Sequence, residues 1–149
     1  MSRVQNPWAK HRQSFWESKT NQAGLPLWLR ITALAYGVHR RNGHAPFKPG
    51  DIILATTVCD EDSGAVYAPT SSRISEAIRQ AVSAGFLAVE SNARCLVVPP
   101  WGIEGGVLGS VNEKCAHHRT SGKSGIRAAN LPEKAEGDSG KSGSPNPLT

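Results

Sequence analysis

Apolar positions in the middle of the chain recur at the spacing of an α-helix. The first set lies on one helical face and consists of Leu27, Ile31, Leu34 and Val38. Pro26 suits a first helical turn, and Asn42 followed by Gly43 suits a helix end. We therefore predict a first helix over residues 26–42.

Two more helices are predicted after the first. Residues 49–56 begin with Pro and Asp and favour a short second helix, although their β-branched content also permits a strand. The third helix is predicted over 71–84, where hydroxyl side chains offer an N-cap and Gly85 can end the helix. Its inward face is formed by Ile74, Ile78, Ala81 and Val82.

Two short apolar runs follow the third helix and are typical of strands. Residues 86–89 and 94–98 are separated by a polar turn, and Pro99-Pro100 ends the second run, so together they predict a β-hairpin. The stretch from Cys59 to Pro69 is polar and is predicted to be a loop. The predicted fold class is thus mainly α, with three helices and a small β-hairpin.

Composition divides the chain into a packed part and flanking segments. The chain has 149 residues, which suits one domain, but only 38% of them are hydrophobic. Residues 120–149 are rich in Gly, Ser and Pro, and we expect them to form a disordered C-terminal tail. The predicted organisation is an N-terminal arm over 1–24, a domain over 25–101, an extension over 102–119 and the tail.

Charge and composition narrow the class of protein. The formal net charge is +5, yet residues 1–50 alone carry eight Lys or Arg and one acid. This basic end suggests a polyanionic partner. We find neither an apolar run long enough to cross a membrane nor a secretory signal, and three cysteines suit a reducing compartment. We expect a cytoplasmic protein without a membrane partner.

The predicted order of elements resembles the winged helix-turn-helix fold. The resemblance is carried by the helix end Ala84-Gly85-Phe86-Leu87, where apolar residues that open the wing follow the helix. Trp28-Leu29-Arg30 and Ala35-Tyr36-Gly37 also resemble small DNA-binding proteins of actinobacterial phages. The resemblance implies a phage transcriptional regulator that binds double-stranded DNA. The alternatives are a replication-initiation accessory protein and a winged-helix module that binds a host protein.

The third helix would be the DNA-reading element of such a protein. Its outward face holds Arg and Gln side chains, which can make paired hydrogen bonds to base edges, and its start holds hydroxyls suited to phosphate. Basic residues of the arm and of the first helix end, and polar residues of the wing turn, would contact the DNA backbone. The predicted DNA-binding residues are Lys10, Arg12, Lys19, Arg40, Arg41, Ser71, Ser72, Arg73, Ser75, Arg79, Gln80, Asn92 and Arg94.

Two features depart from the helix-turn-helix pattern. The connection between the second and third helices is about a dozen residues long, where three or four are usual. It also contains Asp60, Glu61 and Asp62, which would repel phosphate if they lay on the binding surface. These acids favour the alternative of a protein partner. In the arm, Trp8 and Trp16 are expected to pack on the domain rather than on bases.

Metal and catalytic motifs are weak in this sequence. Cys115 and His118 have the spacing of half a zinc site, but Cys95 stands alone on a predicted strand, and Cys59 or His44 would have to complete the set. We therefore expect no metal or other cofactor, and keep zinc at Cys95, Cys115 and His118 as the less favoured alternative. No arrangement of nucleophile and base points to an enzyme.

Overall fold

The computed structural model describes residues 10–102, 105–106 and 108–118. The predicted tail over 120–149 and the start of the arm, including Trp8, lie outside the described residues. The described part contains four helices and two small two-stranded sheets. The elements in chain order are α1 (Gln13–Glu17), α2 (Leu27–Val38), β1 (His44–Pro46), α3 (Asp51–Thr56), β2 (Val58–Cys59), β3 (Val66–Tyr67), α4 (Ser71–Ser83) and β4 (Cys95–Val97).

The three predicted helices are confirmed as α2, α3 and α4, and they enclose the core. Ile31 and Ala35 of α2 and Ala81 of α4 are fully buried. The side chain of Thr70 accepts a hydrogen bond from the backbone N–H of Arg73 and caps the start of α4. The apolar faces predicted for the first and third helices therefore pack against each other, together with Ile52 of α3.

The end of the first helix was predicted too late. α2 ends at Val38, because His39 has an extended backbone with ψ of 147°. The backbone N–H of Arg40 then donates to the carbonyl of His44 at 2.9 Å, which forms a tight turn. Arg40 and Arg41 consequently lie in this turn and not in the last turn of a helix, where they could have stabilised the helix dipole.

The predicted β-hairpin is half right. β4 confirms its second strand, but the first, residues 86–89, is not a strand. The physical reason is that the backbone N–H groups of Phe86 and Leu87 donate to the carbonyl of Ala81 and cap the end of α4. β4 instead pairs antiparallel with β1, which the sequence did not predict.

A second small sheet lies where a loop was predicted. β2 and β3 pair antiparallel between α3 and α4, with Val58 opposite Tyr67 and Cys59 opposite Val66. In the turn that joins them, the Asp60 carboxylate accepts from the backbone N–H groups of Asp62 and Ser63. The long connection between the two helices is therefore an ordered hairpin whose turn carries the acidic residues.

The C-terminal part of the arm is docked on the domain. Gln13 of α1 donates its side-chain amide to the carbonyls of Tyr36 and His39 at the end of α2. The centroid of the Trp16 ring lies 5.4 Å from that of the Tyr36 ring. Trp16 therefore packs on the domain, as predicted. The neighbouring Phe15 is 54% exposed and does not share this packing. Residues 13–17 are thus a fourth helix rather than an extended arm.

We expect Gly37→Ala to release α1 from α2. A Cβ atom at position 37 would lie 2.9 Å from the backbone nitrogen of Glu17, which is too close for an unshifted structure. Overpacking of this kind costs about 1–3 kcal/mol, which exceeds the gain of about 1 kcal/mol from replacing Gly by Ala in a helix. Denaturant unfolding should show a net loss of stability. Gly24→Ala is the control, because a Cβ there meets nothing within 4 Å.

Residues 108–118 pack beside the turn that follows α2. The backbone N–H of Arg41 donates to the carbonyl of Leu108 at 3.0 Å, and the Asn42 side chain donates to the carbonyl of Glu113. The guanidinium of Arg40 forms an ion pair with the Glu113 carboxylate at 2.7 Å. Polar contacts therefore dominate the attachment of this segment. Among the helices described, none combines the length and apolar character that crossing a membrane requires.

Candidate functional site

The outward face of α4 is polar and open to solvent. Ile74, Ala77, Ile78 and Ala81 point into the core, so the opposite face is presented outward. The exposed residues are Ser71, Ser72, Arg73, Ser75, Glu76, Arg79 and Gln80. Among the described residues, Arg73 and Arg79 take part in no ion pair. The structure therefore places together six residues predicted from the sequence, and leaves both guanidinium groups available to a ligand.

Arg30 adds a third cation near the start of α4. It projects from α2 and donates from Nη1 to the carbonyl of Thr56 at 2.8 Å, at the end of α3. Partial burial and the neighbouring charge of Arg73 lower the pKa of Arg30. The two guanidinium groups thus lie close enough to repel each other. Sequence reasoning missed Arg30 as a site residue, although it stands beside the apolar stripe of α2.

The turn after α4 holds Asn92 and Arg94, which were also predicted to bind DNA. They differ in how far their side chains are free to contact a ligand. The Asn92 side-chain oxygen accepts from the backbone N–H groups of Arg94 and Cys95, so it shapes the turn. Arg94 is exposed and donates from Nε to the carbonyl of Phe47 at 3.2 Å. The remaining guanidinium nitrogens of Arg94 can reach a ligand, whereas Asn92 is chiefly a structural residue.

The predicted basic residues outside α4 are scattered. Lys10, Arg12 and Arg41 are exposed. Lys19 lies with its ammonium 5.3 Å from the centre of the Phe15 ring. Arg40 is held by Glu113, and contact with DNA would have to replace that ion pair. These residues do not extend the surface formed by α4 through any contact seen in the described part.

A cluster of two histidines and two cysteines lies where residues 108–118 contact the β1–β4 sheet. His44, Cys95, Cys115 and His118 each offer one ligand atom, and these four atoms lie within 4.8 Å of one another. We refer to these four residues as the histidine–cysteine cluster. The sulfur atoms are 3.6 Å apart, and the Cys95 sulfur lies 3.5 Å from Nδ1 of His44. The Cys115 sulfur lies 3.4 Å from Nδ1 of His118.

The two thiols of the cluster have opposite pKa shifts. Burial is the main cause that raises the pKa of Cys95 to about 12, and its neighbour Cys115 adds to the rise. Partial burial also acts to raise the pKa of Cys115, but hydrogen bonds from His118 and from the backbone of His117 outweigh it, so this pKa is lowered. Cys115 is therefore the thiol that deprotonates more readily.

The two imidazoles also differ. Burial, together with the nearby His118, lowers the pKa of His44. Partial burial acts to lower the pKa of His118, but its hydrogen bonds with Cys115 and with the carbonyl of Glu90 outweigh that effect and raise it. His44 thus favours the neutral form, which is the form that ligates metals.

The sequence left open whether Cys59 or His44 lies with Cys95, Cys115 and His118, and the structure places His44 there. Cys59 is exposed on β2 and lies outside the cluster. His44 joins it, because β1 pairs with β4 and brings His44 opposite Val97, two positions beyond Cys95. Cys115 is a free thiol, and its sulfur contacts both Cys95 and His118.

Comparison of the chain with models of protein families, with curated proteins and with solved structures finds no match.

Proposed function

We propose that this chain binds double-stranded DNA by placing α4 in the major groove, as a winged helix-turn-helix regulator of a phage. The observation that carries the proposal is the outward face of α4. It combines Arg73, Arg79 and Gln80, the side-chain types that make paired hydrogen bonds to guanine and adenine edges. Such a partner would place the chain in the cytoplasm of the host cell.

The dimensions of α4 suit this role. The helix has 13 residues, which corresponds to a length of about 20 Å. The major groove is about 12 Å wide and admits one α-helix. Because the outward side chains of α4 are polar while its inward face packs on α2, the helix could enter a groove without uncovering the core.

Phosphate contacts are supported by the groups around the start of α4. The backbone N–H groups of the first turn favour an anion, and Ser71 and Ser72 add exposed hydroxyls there. Arg30 and Arg73 provide positive charge at the same end. Arg94, from the turn that would be the wing, supplies a separate cation. Contacts of this kind fix the orientation of a protein on the duplex.

A protein partner is the second candidate function, and the hairpin β2–β3 favours it. Val66 is 63% exposed and Tyr67 is 62% exposed, while the turn of the hairpin carries Asp60, Glu61 and Asp62. An apolar strand beside an acidic turn suits a basic protein surface better than a nucleic acid. The two functions therefore use different elements and can be separated by variants.

Binding to duplex DNA at several salt concentrations tests the proposal. We expect the affinity of the wild-type chain to fall steeply as salt rises, because bound cations release counterions from DNA. Arg79→Ala should reduce the preference between sequences by about 1–3 kcal/mol at one base pair. Lys10→Ala is the matched variant and should weaken binding to all sequences alike.

The outcome that would overturn the proposal is absence of duplex binding at low salt, or an affinity that does not respond to salt. Selection of bound sequences from a random duplex pool identifies the preferred site for these measurements. If Arg79→Ala and Lys10→Ala cause equal and sequence-independent losses, α4 does not read bases. Binding of a host protein that is lost in Tyr67→Ser would then support the second candidate.

A further inference from the structure

We propose that His44, Cys95, Cys115 and His118 bind one Zn²⁺ ion with tetrahedral geometry. The site would join the β1–β4 sheet to residues 108–118, and it is independent of the proposed DNA-binding function. Two sulfur and two nitrogen ligands are a common set for structural zinc sites. Nothing in the spacing of the sequence alone brings these four residues together, since three of them lie in separate segments.

Three of the distances in the histidine–cysteine cluster match the edges of a zinc tetrahedron. Bond lengths of about 2.3 Å to sulfur and about 2.0 Å to nitrogen imply ligand separations of about 3.8 Å between sulfurs and about 3.5 Å between sulfur and nitrogen. The observed separation of the sulfurs is 3.6 Å. The two adjacent sulfur–nitrogen pairs are separated by 3.5 and 3.4 Å. Three of the six ligand separations thus already match tetrahedral edges, and all four ligand atoms lie within 4.8 Å of one another.

The hydrogen bonds of His118 leave its other nitrogen available to a metal. Nε2 lies 2.7 Å from the carbonyl oxygen of Glu90, and because a carbonyl can only accept, Nε2 carries the proton. In the neutral ring Nδ1 then carries a lone pair, and it lies 3.4 Å from the Cys115 sulfur. A ligating histidine in proteins commonly donates its second ring N–H to a carbonyl in this way, which fixes the ring orientation.

An open pocket of about 280 Å³, lined in part by His44 and Cys115, gives an ion access to the cluster.

Residues 108–118 bury little apolar surface against the domain, which is a second reason to expect a metal that holds them in place. Leu108 and Val111 are 68% and 70% exposed, so the segment is not held by burial of its large apolar side chains. Its ion pair between Arg40 and Glu113 is partly exposed, and such pairs contribute little stability. A metal that bonds to Cys115 and His118 would strengthen this polar attachment, because binding of a structural zinc is coupled to folding.

A disulfide is the competing outcome for the two sulfurs. Cys95 and Cys115 are neighbours, and an oxidant could join them with the loss of two protons and two electrons. That reaction would remove both thiolate ligands and leave the two imidazoles without a role. The orientation of Nδ1 of His44 and of His118 toward the sulfurs favours the metal.

Metal analysis of the full chain, purified under reducing conditions without added chelator, tests the site. We expect one zinc per chain in the wild type, and loss of that zinc in Cys115→Ser and in His118→Gln. The matched controls are Cys59→Ser and His117→Gln, which alter an exposed cysteine and an exposed neighbouring histidine and should retain the metal. Far-UV circular dichroism should show that all four variants keep their helices, because none changes a residue of the core.

Replacement of zinc by Co²⁺ gives a readout that depends on geometry. The wild type and both controls should show the visible absorption of tetrahedral cobalt with sulfur ligands, and the two ligand variants should lose it. A wild-type chain that is folded, reduced and free of zinc, and that gives no such absorption with Co²⁺, would overturn the proposal. So would a disulfide between Cys95 and Cys115 in protein kept under reducing conditions, or equal zinc content in Cys115→Ser and wild type.

Discussion

Replacing Ile31 by alanine is expected to lower the free energy of unfolding by about 2–5 kcal/mol. Ile31 lies in α2 with none of its surface exposed, and it belongs to the core that joins α2, α3 and α4. The substitution removes buried methyl groups and leaves a cavity that close-packed neighbours can fill only in part. Since single domains are stable by only about 5–15 kcal/mol, this is a large fraction of the total.

The matched control for Ile31→Ala is Leu54→Ala in α3. Leu54 is also an aliphatic residue in a helix, but it is 76% exposed. Exposed positions of this kind change stability by about 0.5 kcal/mol or less. Urea unfolding followed by circular dichroism measures both variants. Equal stability of Ile31→Ala and wild type would show that α2 does not form the centre of the core.

The second large expected effect is loss of duplex DNA binding in Arg73→Glu. The variant removes one cation from the start of α4 and places a carboxylate near Arg30. An ion pair between positions 30 and 73 would then occupy the second cation as well. Loss of the contact between Arg73 and DNA should weaken the binding free energy by about 1–3 kcal/mol, and the new carboxylate would repel phosphate. We therefore expect the affinity for duplex DNA to fall by about 100-fold or more.

Lys114→Glu is the control for charge in that experiment. It changes the net charge by the same amount, on an exposed residue of the segment that packs beside Asn42 rather than on α4. Fluorescence anisotropy with a labelled duplex at low salt compares the two variants. A similar loss in both would mean that overall charge, and not the surface of α4, determines binding. Thermal unfolding should be near that of the wild type for Arg73→Glu, because residue 73 is exposed.

The helices could be predicted because their pattern is local. Apolar residues at helical spacing in α2 and α4 fix which face is buried, and the N-cap at Thr70 fixes where α4 starts. The exposed face of α4 follows directly from the buried one. The candidate DNA-binding residues on this helix were therefore accessible from the sequence.

The strands and the complete cluster could not be predicted in this way. β1 is only three residues long and ends in Pro46, so it carries neither the alternation nor the composition of a strand. Its existence depends on β4, which lies far along the chain. The sequence pointed to Cys115 and His118 by their spacing, but selecting His44 over Cys59 required the pairing of β1 with β4.

The pairing of β1 with β4 also has a consequence for how the chain folds. His44 and Cys95 are 51 positions apart, and both α3 and α4 lie between them. Closing so long a loop lowers the entropy of the chain before any hydrogen bond between the strands forms. Contacts over this sequence distance therefore slow folding. We expect the helices to associate first and the small sheet to form late. His44 and Cys95 would then remain apart until the sheet forms, so the histidine–cysteine cluster would be completed late in folding.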